Sequence, residues 1–260
     1  MTTTAQEPVS DGPVNTRPLR FKWSHRGKIH RVLVKVYNAM AGVCPFGIKY
    51  GIGKKRRSNK YPYKLIKPGS TIVQIGAPCD TLKAGRSRGM YFSLFNGPTG
   101  KTVIIEPAST SEDAFTKIKN ARGLKDLIFV CNGAWNEEKD LKLYIDPSHP
   151  ATNFTEGTVD YEPERLAQFE QISIPCNTVD NLLEKAGVEN VDLLSMTTNG
   201  AEIEILEGMT KTLERGIEFI CLAGHLHLGD LKVLMGGYGY EEYAFDDRGV
   251  TYRKTENKSA

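Results

Sequence analysis

Short apolar runs bounded by Gly, Pro and acids recur along the chain and set the expected frame. Thr71-Ile72-Val73-Gln74-Ile75-Gly76 and Lys101-Thr102-Val103-Ile104-Ile105-Glu106-Pro107 are the clearest. Continuous Val/Ile runs of this length suit strands covered on both faces. Residues 126–132, 191–197 and 216–223 read the same way. Between them, residues 91–95, 112–121, 230–235 and the segments opened by Thr178 and by Asn199-Gly200-Ala201 read as helices. A sixth strand runs through Phe245, and Asp246-Asp247-Arg248-Gly249 makes a hairpin to a last strand over 250–254. This alternation predicts an α/β fold with a doubly wound, mostly parallel seven-stranded sheet and an antiparallel edge strand. Residues 141–145 and 171–175 are candidate extra strands, and the polar, Pro-containing segment between them suits a flap.

The pattern before residue 68 differs. Residues 1 to about 20 are polar, carry Pro8, Pro13 and Pro18, and are expected to lack fixed structure. From Lys28, the residues Ile29, Val32, Leu33, Val36, Met40 and Val43 recur at helical spacing until Gly42 and Pro45 stop them. Such a basic amphipathic helix covers its own domain, the commoner arrangement, or lies on an anionic membrane surface. Gly51 to Lys60 reads as a basic loop suited to phosphates, sulfates or lipid headgroups, without the spacing of a phosphate loop. The expected division is a basic N-terminal extension over 1–67, a main domain over 68–254 and a tail over 255–260.

Charge sharpens that division. Residues 1–67 hold 15 Lys/Arg against 2 acids, or +13, which leaves 19 against 29, or −10, for the remainder. Hydrophobic content of 40% and charged content of 25% suit a globular chain, and no run approaches the ~20 apolar residues of a membrane span. The polar start is no signal peptide, so a cytoplasmic location, peripheral to a membrane at most, is expected. Five scattered cysteines without a C-x-x-C pair fit a reduced compartment.

Candidate chemistry sits at the strand ends. A strand ending in Gly76 lets the backbone approach a ligand, and Glu106 at the tip of the next strand can accept both hydroxyls of a ribose. The turn Gly76-Ala77-Pro78-Cys79-Asp80 lacks G-x-G-x-x-G, which disfavours a dinucleotide and points to a ribose-bearing cofactor without a pyrophosphate, such as S-adenosylmethionine. Asn132, Gly133 and Ala134, at the carboxyl end of the third strand, are placed to frame an adenine. His225 and His227 follow the fifth strand, where a base is useful, yet H-x-H without a third ligand is weak evidence for a metal and none is expected. Glu202 opens a helix and is the other candidate base; a plain charge at a helix N-terminus is its ordinary role.

The blocks Thr178-Val179-Asp180-Asn181-Leu182-Leu183, Asp192-Leu193-Leu194, Asn199-Gly200-Ala201-Glu202 and Ile205-Leu206-Glu207-Gly208-Met209 follow in an order that resembles the FkbM-type family of S-adenosylmethionine-dependent methyltransferases. Ile75-Gly76-Ala77 and Glu106-Pro107 match that family's first two strand ends, so the resemblance covers about residues 68–246. The family pattern has an acid where this chain has Gln74, and Lys, Asp and Glu where it has Ser195, Thr197 and Asn199. The resemblance implies a Rossmann-like class I methyltransferase fold, with Gly76 and Ala77 near the methionine part of the cofactor, Glu106 on the ribose, and Asp80, Asn132 and Ala134 completing the pocket. Asn199, Glu202 and His225 are the implied catalytic candidates. It further implies O-methylation of a hydroxyl on a sugar, glycolipid or related natural product, so a small-molecule or glycan/lipid-linked acceptor. Two alternatives stand beside it. One is a catalytically degenerate binding protein docking on a membrane or anionic partner. The other is an RNA methyltransferase, for which no RNA-reading motif is present.

Overall fold

The computed structural model describes residues 14–15, 36, 40, 43–145, 153–159, 161–223, 227–246 and 249–255. Strand β1 (Val14–Asn15) and helix α1 (Phe46–Arg57) precede β2 (Thr71–Ile75), α2 (Cys79–Lys83), α3 (Arg88–Asn96), β3 (Lys101–Ile105), α4 (Ser109–Arg122) and β4 (Leu127–Val130). A second group follows: β5 (Gly133–Trp135), β6 (Lys139–Ile145), β7 (Phe154–Thr155), α5 (Pro163–Leu166) and β8 (Glu170–Thr178). The chain then forms α6 (Val179–Lys185), β9 (Leu193–Met196), α7 (Glu202–Glu207), α8 (Thr210–Arg215), β10 (Phe219–Leu222), α9 (Leu228–Gly237), β11 (Tyr240–Asp246) and β12 (Gly249–Lys254).

The main sheet has the order β1-β11-β12-β10-β9-β2-β3-β4. Its seven long members are the expected ones. The eighth, β1, adds a two-residue parallel pairing with Ala244 and Phe245, so part of the polar start does take a place in the sheet. The terminal hairpin makes β12 antiparallel to both β10 and β11, while β2, β3, β4, β9 and β10 run parallel. A smaller sheet, ordered β5-β8-β6-β7, is built on the long antiparallel pairing of β6 with β8.

Alternate strand residues face opposite layers, and each layer has its own core. Val73, Ile75, Val103, Ile105, Leu194, Met196, Ile220 and Leu222 pack with Leu182, Ile205, Leu213 and Leu231 from α6 to α9. Ile72, Ile104, Leu193 and Phe219 pack with Leu82, Met90, Phe92 and Phe115 from α2 to α4. This second core also takes in Tyr50 of α1 and Tyr63, so residues 46–65 pack as part of the domain and the expected boundary at 67/68 separates no packing unit.

The basic stretch expected as a loop is the helix α1. Tertiary packing overrides its three glycines. At Gly53 a Cβ would lie 1.8 Å from Tyr91 Oη, so only Gly lets the helix come this close. The Arg57 guanidinium lies 4.1 Å over the Tyr91 ring and Lys54 Nζ donates to Leu94 O, and four cations at the helix C-terminus complement its dipole. Upstream, Val36, Met40 and Val43 are helical, but they are 48%, 63% and 86% exposed and cover no core. The remainder of the helix expected from Lys28 lies outside the described residues.

After β2 the chain forms α2 and then α3, which Ser87 caps by accepting from Met90 N–H (3.3 Å). Two acids of the later sequence blocks are structural. The Asp180 carboxylate accepts from the N–H groups of Lys211 and Thr212 and from the Thr212 hydroxyl, capping α8, while Thr178 caps its own helix. Asp192 Oδ2 accepts from Thr71 N–H (2.7 Å), which ties the entrance of β9 to that of β2.

Candidate functional site

From β2 the chain moves outward to β3 and β4 and then returns to β9 on the other side of β2, leaving a crevice at the carboxyl ends of these strands. Open α/β sheets bind ligands at such a point. The crevice is a cleft walled by Ile75, Gly76 and Pro78, by Ile105, Glu106 and Pro107, by Gly133 and Ala134, and by Thr197, Thr198, Asn199 and Ala201. The small sheet closes the far side with Leu143, Asn153, Phe154, Thr155, Ile174 and Cys176.

Gly76 has φ +81°, and a Cβ there would lie 2.8 Å from Thr197 O; a side chain would be strained and would push the β2 and β9 turns apart. Glu106 is buried on the opposite wall. Its Oε2 accepts from Ala77 N–H (2.6 Å) and its Oε1 from Ala108 N–H (3.2 Å). Burial pushes its pKa up, Asp80 adds to this, and the two N–H groups oppose it. Each carboxylate oxygen thus holds one backbone donor and keeps a lone pair for another.

The structure brings Gly76, Glu106, Ala134 and Asn199 onto one cleft, with Ala77 joined through its N–H. Asp80, on the first turn of α2, acts on Glu106 electrostatically and is not part of the wall. Asn132 is one residue short of β5; its Oδ1 is buried without a hydrogen bond, and its neighbours Gly133 and Ala134 line the cleft instead. His225 lies outside the described residues. His227 is exposed, with φ +54° and its Nδ1 3.9 Å from Asp230; it does not line the cleft but acts electrostatically on Glu202.

Sequence reasoning named Thr197 only as a departure from the family pattern, and missed Thr198 and Phe154. Phe154 carried a signal only as part of the polar segment read as a flap. It stacks on Tyr144 with centroids 4.9 Å apart, and Asn199 Nδ2 donates to Asn153 O (2.7 Å), tying this wall to the β9 turn.

The departures from the FkbM pattern occupy adjoining places. Gln74 and Ser195 are direct partners in the β2–β9 register, so the family's acid and lysine positions face each other, and here both are neutral. Replacing the two charges together leaves no uncompensated charge in the core. Gln74 Nε2 lies 2.8 Å from Gly76 O and from Thr197 Oγ1, and the Thr197 hydroxyl donates to Gly76 O (2.6 Å). Arg88 Nη1 donates to Ser195 Oγ (3.2 Å). The neutral side chains of Gln74 and Thr197 therefore hold the Gly76 turn against β9.

Glu202 is buried behind the wall, its Oε1 accepting from the Thr198 hydroxyl (3.0 Å) and its Oε2 without a hydrogen-bond partner among the described residues. Burial raises its pKa above 4.5 against the lowering effect of helix N–H groups and Thr198. The folded protein therefore keeps this proton to a higher pH than the unfolded chain, and stability falls as pH rises above 4.5 through the raised value. Glu202→Gln, which keeps the shape and cannot ionise, is expected to flatten that fall in a series of thermal midpoints from pH 4.5 to neutrality. An unchanged slope would contradict an ionisable Glu202 in this buried place.

A family model for the methyltransferase FkbM domain matches residues 75–240. No curated protein matches the chain. Among solved structures, similarity is found to a methyltransferase FkbM from Methylobacillus flagellatus KT, at 13% identity and TM-score 0.47, over 75% of this chain and 47% of that one. The chain thus spans about half the length of that relative. It is similar also to an Aeropyrum pernix fibrillarin in complex with natively bound S-adenosyl-L-methionine (13% identity, TM-score 0.41, 79% and 74% covered). A third is an Aquifex aeolicus SAM-dependent methyltransferase (14%, 0.38, 80% and 96%). With more than half of its length matched by the family model, and with the fold and cleft described above, the chain belongs to the FkbM methyltransferase domain family.

Proposed function

We propose that the protein is an S-adenosylmethionine-dependent methyltransferase acting on a hydroxyl of a sugar, glycolipid or related natural product. The observation that carries this reading is Glu106, a carboxylate with a lone pair left on each oxygen, on the same cleft as the Gly76 turn at the switch point of the sheet. Glu106 is the one charged residue among those lining the cleft, which suits a ligand with ribose hydroxyls and a positive sulfonium. When bound, the cofactor supplies an electrophilic methyl group.

Glu106 would hold the ribose, Gly76 and Ala77 the methionine part, and Gly133 and Ala134 the base. The Cys176 thiol, also on the wall, is pushed up to about 11 by burial, so it stays protonated and does not compete for the methyl group. On the acceptor side, Asn199 presents an amide and Thr198 a hydroxyl backed by Glu202, a path for the acceptor's proton. The enclosed part of the cleft is about 90 Å³.

A second reading, a binding protein that keeps the fold without activity, draws on the neutral Gln74, Ser195, Thr197 and Asn199. Transfer of a labelled methyl group from S-adenosylmethionine to panels of hydroxylated glycans, glycolipids and RNA separates the readings. Label on a glycan or glycolipid hydroxyl is the expected result. Cofactor binding with no transfer to any panel favours the second reading, and label on RNA alone contradicts the acceptor class.

A further inference from the structure

Five of the six exposed large apolar side chains among the described residues fall between positions 36 and 52: Val36, Met40, Val43, Ile48 and Ile52. Ile48 and Ile52, 57% and 59% exposed, stand one turn apart on the side of α1 opposite Tyr50 and Gly53, the residues that bury it. Isolated apolar residues on a surface need no explanation, but a concentrated group of this kind does.

The chemistry around the group is uniform. No acid occurs from residue 12 to residue 79. Some cations of α1 are used internally: Lys49 Nζ donates to Lys83 O, Lys54 Nζ to Leu94 O, and Arg57 lies on Tyr91. Lys55, Arg56, Lys60 and Arg86 are different, being exposed and without an ion pair among the described residues. Arg56, Lys60 and Arg86 join Met40 and Ile52 in lining a cavity of about 460 Å³ that has no carboxylate in its wall.

We propose that the outer face of α1, with Met40 and Val43, docks this protein on an anionic lipid bilayer. Apolar side chains ringed by cations fit the boundary between acyl chains and headgroups, and the basic cavity fits a headgroup phosphate. A nucleic acid would use the cations but gains nothing from exposed Ile and Val ridges without aromatic stacking residues. The −10 charge of residues 68–260 is repelled by the same surface that attracts the cations of α1, which turns this face of the helix toward it. No described helix is long and apolar enough to cross a membrane, so the contact is peripheral. Its place is informative: Tyr50 Oη donates to Leu82 O of α2, the helix that follows directly from Pro78 on the cleft wall.

The test is cosedimentation of the full chain with phosphatidylcholine vesicles and with vesicles of phosphatidylcholine mixed with phosphatidylglycerol. Binding to the anionic vesicles alone is expected. It should weaken as salt rises from about 0.1 M to about 1 M, which shortens the screening length from roughly 10 Å to roughly 3 Å. Ile48→Asp with Ile52→Asp should lower binding at least about tenfold at an unchanged thermal midpoint, because both side chains point away from the core. Arg56→Ala with Lys60→Ala should lower it about 30-fold, from about 1 kcal/mol for each cation near the surface. The proposal is overturned by absence of binding to anionic vesicles, by equal binding to neutral ones, or by a double-Asp variant that binds as the parent does. It is equally overturned if a labelled RNA oligonucleotide is bound while vesicles are not.

Discussion

Glu106→Ala is expected to weaken binding of S-adenosylmethionine by ~1.5–3 kcal/mol, the range for losing hydrogen bonds to a charged group, or roughly 10- to 150-fold in Kd. Two opposing effects keep the fold from obscuring this result. Removing the carboxylate leaves the N–H groups of Ala77 and Ala108 without their acceptors, which destabilises the β2 turn. It also removes a buried carboxylate whose raised pKa records an unfavourable environment for its charge. The thermal midpoint should therefore move little while affinity falls strongly. Glu106→Gln, which keeps one acceptor oxygen, should lie between Ala and the parent. An Ala variant that binds the cofactor as the parent does would place the ribose elsewhere.

Gly208→Ala is expected to lower stability strongly. Gly208 follows α7, and a Cβ there would lie 2.0 Å from Trp135 O and 2.9 Å from Asn136 Cα. Its φ is −82°, so the conflict is steric rather than one of backbone conformation. Backbone cannot turn away as a flexible side chain can, and overpacking of this kind costs about 1–3 kcal/mol. For a chain of this size that corresponds to a loss of several degrees, about 2–4 °C for each kcal/mol. The strand pushed aside is β5, which carries Gly133 and Ala134 on the cleft wall, so cofactor affinity should fall together with the denaturation midpoint. A parental midpoint in the variant would contradict the close seating of this helix end on β5.

The contrast between these two glycine and acid positions and the rest of the molecule shows what a sequence carries. The parallel strands were legible because each is short, apolar throughout and bounded by breakers, a pattern that local burial dictates. Gly76, Glu106 and Ala134 were legible because strand ends at a switch point converge whatever the loops do. Helix α1 was not, since Gly47, Gly51 and Gly53 are poor helix formers and the stabilisation comes from Tyr50, Tyr63 and Tyr91 meeting across long stretches of sequence. The Phe154 wall was hidden for the same reason, as it depends on β6 pairing with β8. Asp180 and Asp192 look alike in the sequence as acids of successive blocks, yet one caps a helix and the other ties two strands. Gln74 and Ser195 read as separate losses of charge until their register makes them neighbours.

The most direct measurement is calorimetric titration of the purified full chain with S-adenosylmethionine. Saturable binding at one site, weakened by Glu106→Ala in a variant that keeps its thermal midpoint, is the result predicted for a cofactor seated between the Gly76 turn and the tip of β3. A folded parent protein that releases no heat and shows no saturation across the accessible concentration range would contradict the cofactor site, and with it the methyltransferase reading.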